Sequence, residues 1–146
     1  MPNTTVYSFA DVSMVISHPS VGQFIATGQG IGTASVTMST ERSAHDISAD
    51  GSVMVSKILG RNGNIVINAQ QTSALHKWLL KYFNYVEGAT TNEWATAKVI
   101  IRSPVMQDMI TLTGVSPQKI ADKPFQAQGQ HVAWTLMAAD IQQDVA

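Results

Sequence analysis

The residues able to carry chemistry are scattered. Four histidines stand at positions 18, 45, 76 and 131, and no pair has the spacing that places two imidazoles on one helix face for a metal. With no cysteine, disulfides, thiolate nucleophiles and Cys-ligated zinc or iron–sulfur centres are excluded. Serines, histidines and aspartates are present, but no G-x-S-x-G elbow holds a nucleophile. Asp46 and Asp50 flank a turn and read as turn-formers rather than an acid/base pair. The run GQGIGT at 28–33 has Gly28 and Gly30 of a dinucleotide fingerprint, but Thr33 in its sixth position. The stretch from Gly32 to Thr40, GTASVTMST, alternates like a strand, so no helix N-terminus is aimed at a phosphate. GRNG at 60–63 lacks the Walker lysine. These residues assign no catalytic group, no cofactor and no metal, and the chain reads as a non-enzyme.

The aromatic group Trp78, Tyr82, Phe83 and Tyr85 could stack bases. Three of the four share one helical stripe, which core packing explains better. The seven methionines sit mostly at alternating strand positions and read as core gap-fillers.

The elements that position these residues change period along the 146-residue chain. Residues 6–17 alternate, with Val12, Met14 and Ile16 on one strand face, and His18-Pro19 ends the run. Residues 19–30 read as a Gly-rich loop around Phe24–Ala26, and 31–38 as a strand with Ala34, Val36 and Met38 on one face. STERSAHD, 39–46, reads as an exposed connection. Asp50-Gly51 and Asn62-Gly63 supply the positive φ of tight turns, so 46–69 reads as antiparallel strands. From Thr72 to Val86 the period becomes helical: Leu75, Trp78, Leu79, Tyr82 and Phe83 form an apolar stripe, Thr72 or Ser73 caps it and Gly88 ends it. Strands resume at 94–102 and 109–115, a loop covers 118–130, and 131–138 is a closing strand before a polar tail. The expectation is one α+β domain over 1–146, mainly antiparallel, a sandwich or barrel with one amphipathic helix packed on it.

Composition narrows the role. Only 13% of residues are charged, against about 25% in ordinary soluble domains. A surface short of charge suits contact with other protein. The net charge of −1 argues against electrostatic capture of nucleic acid or anionic lipid. The sequence shows neither a signal peptide nor an apolar run of about 20 residues, so cytoplasmic synthesis without a membrane anchor is expected.

The collinear order carries a resemblance. An opening strand YSFADVSMVIS is succeeded by Ala49-Asp50-Gly51, by the alternation Gly63-x-Ile65-x-Ile67, by Gln71-Thr72-Ser73 leading into the helix, and by Trp134 in the closing strand. In this order and length the chain resembles the tail tube proteins of contractile-tailed bacteriophages, specifically a phage structural family long listed as of unknown function. The resemblance implies hexameric rings that stack into a hollow tube, strands that join across subunits into an inner barrel, and a helix outside the sheet. It implies sheath, tape-measure, baseplate and tail terminator proteins as partners, assembly in the host cytoplasm, and DNA that passes without specific binding. A related ring of a secretion system, a terminator, or a small β-rich binding module are the alternatives.

The resemblance singles out two residue sets. The connection, Thr40, Glu41, Arg42, Ser43, Ala44 and His45, is expected to reach neighbouring subunits. Glu41, Asp46, Asp50 and Asp108 are the candidate acids of the tube wall.

Overall fold

A computed structural model describes residues 4, 6–27, 31–104 and 106–145; Gly28 and Gly30 of the GQGIGT run lie outside the described residues. The strands are β1 (Ser13–His18), β2 (Gly22–Ala26), β3 (Ile31–Met38), β4 (Ser43–Ile47), β5 (Val53–Lys57), β6 (Gly63–Gln70), β7 (Ala97–Ser103), β8 (Asp108–Pro117) and β9 (His131–Val145), with one helix, α1 (Ala74–Gly88), between β6 and β7. Seven strands form one sheet in the order β2-β1-β7-β8-β9-β6-β3, every pairing antiparallel. Strands β4 and β5 form a separate hairpin. The mainly antiparallel fold with a single helix is as expected.

The sheet does not close into a barrel. Strands β2 and β3 are its edges, and no strand among the described residues bridges them. Both edges therefore keep a row of ladder groups that no strand among the described residues pairs.

Alternation sorts the sheet into two faces. Met14 and Ile16 of β1, Val99 of β7, Leu112 of β8, Trp134 and Leu136 of β9, and Ile65 and Ile67 of β6 all turn to the helix side and are buried. Each fully buried side chain of this size contributes about 1.5–3 kcal/mol of transfer free energy. Helix α1 lies over this face. Ser73 caps it, its hydroxyl accepting from His76 N–H at 3.2 Å. The helix buries Leu75, His76, Leu79, Tyr82 and Val86, while Trp78 and Phe83 of the expected stripe are half-buried at its margins. Tyr82 OH donates to the Val115 carbonyl at 3.3 Å, tying the helix to β8.

Six expectations are corrected. The opening strand expected over 6–17 begins only at Ser13, because Phe9–Asp11 forms a 3-10 turn. The Gly-rich stretch 19–30 holds a strand, β2, paired along β1 from Met14↔Ala26 to His18↔Gly22. The stretch 39–46 is an open connection only to Arg42; Ser43–Ile47 is a strand. Asn62-Gly63 is not a turn, because Gly63 already pairs with Met38 and Ala138, and a Cβ there would overlap the Thr37 carbonyl and Ile141. The closing strand runs to Val145, since β8 offers a ladder partner out to Asp108↔Val145. Of the methionines, Met14 is fully buried, while Met38, Met54, Met106 and Met137 are exposed.

Candidate functional site

The surface that departs most from an ordinary folded domain is the β4–β5 hairpin. The chain leaves the sheet after Met38 and returns at Gly63. The root is held by Ile58 N–H donating to the Arg42 carbonyl at 2.9 Å and by the Arg42 guanidinium on the Gly60 carbonyl at 2.7 Å. Beyond that root, every residue from 43 to 57 is exposed. Pairing puts Ile47 opposite Val53 and His45 opposite Val55, so Ile47, Val53 and Val55 share a face that is 68%, 51% and 61% exposed. A two-stranded hairpin is marginal on its own, and an exposed apolar face is a contact surface waiting for cover.

The tip is well ordered by its own polar groups. Gly51 N–H donates to the Ser48 carbonyl with Gly51 at φ 89°, as the Asp-Gly signal requires. Asp50 accepts from the hydroxyls of Ser48 (2.5 Å) and Ser52 (2.7 Å) and from Ser52 N–H (3.0 Å). These bonds hold its carboxyl well below the usual carboxylate range, the Ser48 hydroxyl contributing most. The tip therefore presents a fixed anion.

The residues expected to reach neighbours fall on this element. Thr40, Glu41 and Arg42 form its root, and Ser43, Ala44 and His45 its first strand. Of the candidate wall acids, Glu41, Asp46 and Asp50 belong to the same arm. Asp108 is apart from them, at the start of β8 opposite Ser103. It borders an apolar groove of about 280 Å³ lined by Tyr7, Val12, Val36, Ile101 and Ile110. The structure does not gather the four acids into one cluster.

The sheet face opposite the helix is nearly neutral in charge and mixes polar side chains with apolar ones, Val15, Ile25, Val66, Ile100 and Met137 among them. It carries Thr33, Ser35 and Thr37 of β3, Asn64 and Asn68 of β6, Thr135 of β9 and Thr111 and Thr113 of β8. One row across it reads Ser13, Arg102, Met109, Asp144. Its charged groups are Lys98, Arg102, Asp140 and Asp144, two of each sign, and Asp140 is paired with Arg61 at 2.8 Å.

Two histidines are structural. His18 is buried at the end of β1, its Nδ1 accepting from Ser20 N–H at 3.1 Å and its Nε2 bonded to the Glu93 carbonyl at 3.1 Å. Glu93 in turn accepts from Ser20 and Tyr85, and these bonds, with Ser20 foremost, lower its pKa. His76 is buried beneath α1, with Nδ1 accepting from Trp134 Nε1. Neither stands beside a nucleophile and an oxyanion cradle as hydrolysis would require.

The described residues show two open sheet edges, an exposed arm and no assembled catalytic group. A model of the bacteriophage PhiTE tail tube protein family matches residues 4–146. The chain belongs to this tail tube family. It is a structural protein of the phage tail and not an enzyme.

Solved structures share the fold of this tail tube protein. A chain of the sheath–tube complex of the PVC extracellular contractile injection system aligns with a TM-score of 0.57 at 11% identity, covering 91% of this chain and 88% of that one. A chain of the anti-feeding prophage cap, which terminates its tube, aligns at 0.59 and 10% identity over 100% and 95%. A chain of the anti-feeding prophage baseplate aligns at 0.58 and 13% identity over 99% and 97%. None of the curated proteins matches in sequence.

Sequence reasoning missed the apolar face of the hairpin and the β2 edge. The signal for the first was the alternation Val53-Met54-Val55 just after Asp50-Gly51. The second was hidden by the glycines on either side of it.

Proposed function

We propose that this tail tube protein is one domain over residues 1–146 that forms hexameric rings, and that the rings stack into the hollow tube of a contractile phage tail. Within a ring, the open edge of β2 on one copy meets the open edge of β3 on the next. This is a head-to-tail contact that closes by rotation, and it pairs the ladder groups each monomer leaves free. Between rings, the β4–β5 arm supplies the axial contact. That arm, exposed along its whole length with an apolar face, is the observation that carries the reading.

The nearly neutral face opposite the helix is the wall of the bore in this reading. Its threonines, serines and asparagines and its balanced charges let DNA slide, where a basic wall would hold each phosphate. Asp140 and Asp144 are then the acids at the wall, with Glu41, Asp46 and Asp50 on the arm and Asp108 at the sheet end. The helix face turns outward to a sheath. Baseplate and terminator proteins bound the two tube ends, a tape-measure protein fills the bore before DNA, and assembly takes place in the host cytoplasm. The structural neighbours come from sheath–tube, cap and baseplate assemblies, which supports the sheath, terminator and baseplate partners.

Negative-stain microscopy of the purified protein tests the reading. Open-ended tubes are expected. Rings that stop at one layer would assign the chain to a cap or terminator instead.

A further inference from the structure

The arm and the helix start lie at opposite ends of the sheet. Strand β6 runs from Gly63, where the arm returns, to Gln70, three residues before the helix cap, and β3 and β9 run antiparallel beside it with Met38 and Ala138 at the arm end and His131 at the other. Eight residues of strand, seven rises, separate these ends by about 23 Å.

At the helix-start end lies a cavity of about 420 Å³ bordered by Gln71, His76, Lys77, Leu80, Lys123 and Phe125. Its features point to an anionic guest with apolar neighbours. His76 is 4% exposed. Its Nδ1 accepts from Trp134, which leaves the ring proton on Nε2, and Nε2 has no hydrogen-bond partner among the described residues. Lys77 and Lys123 border the same cavity, and no carboxylate does. Phe125 is 85% exposed, an aromatic ring held in solvent beside two cations.

The arm tip has the complementary chemistry. Between residues 46 and 52 it carries Asp46 and Asp50 and no cation, with Ile47 and Val53 beside them. Its Asp50 carboxylate is already oriented by Ser48 and Ser52, so little ordering is needed on docking. Acid and apolar side chains at one end thus match cations and an exposed aromatic at the other, as continued head-to-tail stacking demands.

We propose that the arm tip of one copy seats in the His76–Lys77–Lys123 cavity of a copy in the adjacent ring, with the tip acids on the two lysines, and Ile47 and Val53 against Leu80 and Phe125. The proposal rests on the stacked-ring reading and names the receptor that this reading leaves open. Successive copies then form an axial chain, acid tip into cationic socket, without a third component.

The cysteine-free sequence makes the contact directly testable. Ala49→Cys at the tip and Gln126→Cys at the cavity are placed in one chain, assembled and oxidised. A ladder of disulfide-linked chains beyond the dimer on a denaturing, non-reducing gel is expected, and neither single variant gives more than dimers. Tubes that assemble from the double variant but yield no ladder would overturn the proposal and leave the tube reading intact. Failure of the unmodified protein to form tubes would overturn both. In a second arm of the experiment, Lys77→Glu with Lys123→Glu, both at the helix-start end, lowers tube yield about tenfold or more through like-charge contact with Asp46 and Asp50. The melting temperature stays unchanged. Undiminished tubes from that variant would also overturn the proposal.

Discussion

Nε1 of Trp134 donates to Nδ1 of His76 across 3.1 Å, at the seam between the closing strand and the helix. The indole is fully buried and tilts against Phe83 at 6.2 Å between ring centroids. This bond joins the helix to the closing strand and satisfies both buried nitrogens that form it. Trp134→Phe keeps most of the packing but orphans Nδ1, a loss of about 1–3 kcal/mol. Trp134→Ala adds a large cavity, for about 3–5 kcal/mol. Urea denaturation at neutral pH measures both, and an equal loss from the two substitutions would show that packing around the indole matters little.

His76 also sets a pH dependence. Burial, and secondarily Lys123, push its pKa below the ordinary 6.5. The unfolded chain then binds this proton more readily than the folded one, so the stabilisation is complete above about pH 6.5 and declines as pH falls toward the depressed folded value. His76→Gln can still accept from Trp134 but cannot titrate. Its stability between pH 7 and pH 5 is expected to vary less than that of the unmodified chain. Parallel profiles would assign the acid sensitivity to other groups.

The hairpin face predicts a separation of folding from assembly. Ile47→Ser, Val53→Ser and Val55→Ser together remove exposed apolar area without touching the core, so the melting temperature shifts by no more than about 2 °C. Tube formation is lost. Scanning calorimetry and pelleting of the polymer measure the two effects. A variant that pellets as well as the parent would show the face to be idle.

The lateral edge predicts a different defect. Ile25, exposed on β2 opposite Val15, lies on the edge proposed to meet β3 of the next copy. Ile25→Lys leaves the monomer folded and blocks edge pairing, as lysine does on natural sheet edges. Sedimentation velocity is expected to show monomer alone, whereas the triple-serine hairpin variant retains single rings.

The parts of this fold that were legible in the sequence are those with a one-sided burial period. Ile65 and Ile67, the run Val132-Trp134-Leu136 and the stripe Leu75-Trp78-Leu79-Tyr82-Phe83 each alternate core with surface, and all are buried where the period put them except Trp78 and Phe83, which are half-buried at the helix margins. The illegible parts lack that asymmetry. Both faces of β4 are exposed, so Ser43–Ile47 carries no burial signal to distinguish a strand from a loop. The last seven residues of β9, Ala139–Val145, bury only Ile141, and the strand exists because β8 offers a partner. Asn62-Gly63 imitates a turn because its glycine serves close approach to β3 instead of a positive φ. The arm was visible as a connection through residues 40–45 and the Asp-Gly turn, with Asp46 and Asp50 on it. The cavity was not: His76 and Lys77 come from the helix, Lys123 and Phe125 from a loop more than forty residues later, and only folding brings them together.

Open-ended stacking is tested most directly by the length distribution of assemblies at rising protein concentration, measured by cryo-electron microscopy. Tubes of constant hexameric cross-section are expected, with a mean length that grows with concentration and ends that stay competent to add subunits. Particles that remain single rings or monomers at every concentration, with the chain fully folded, would contradict it.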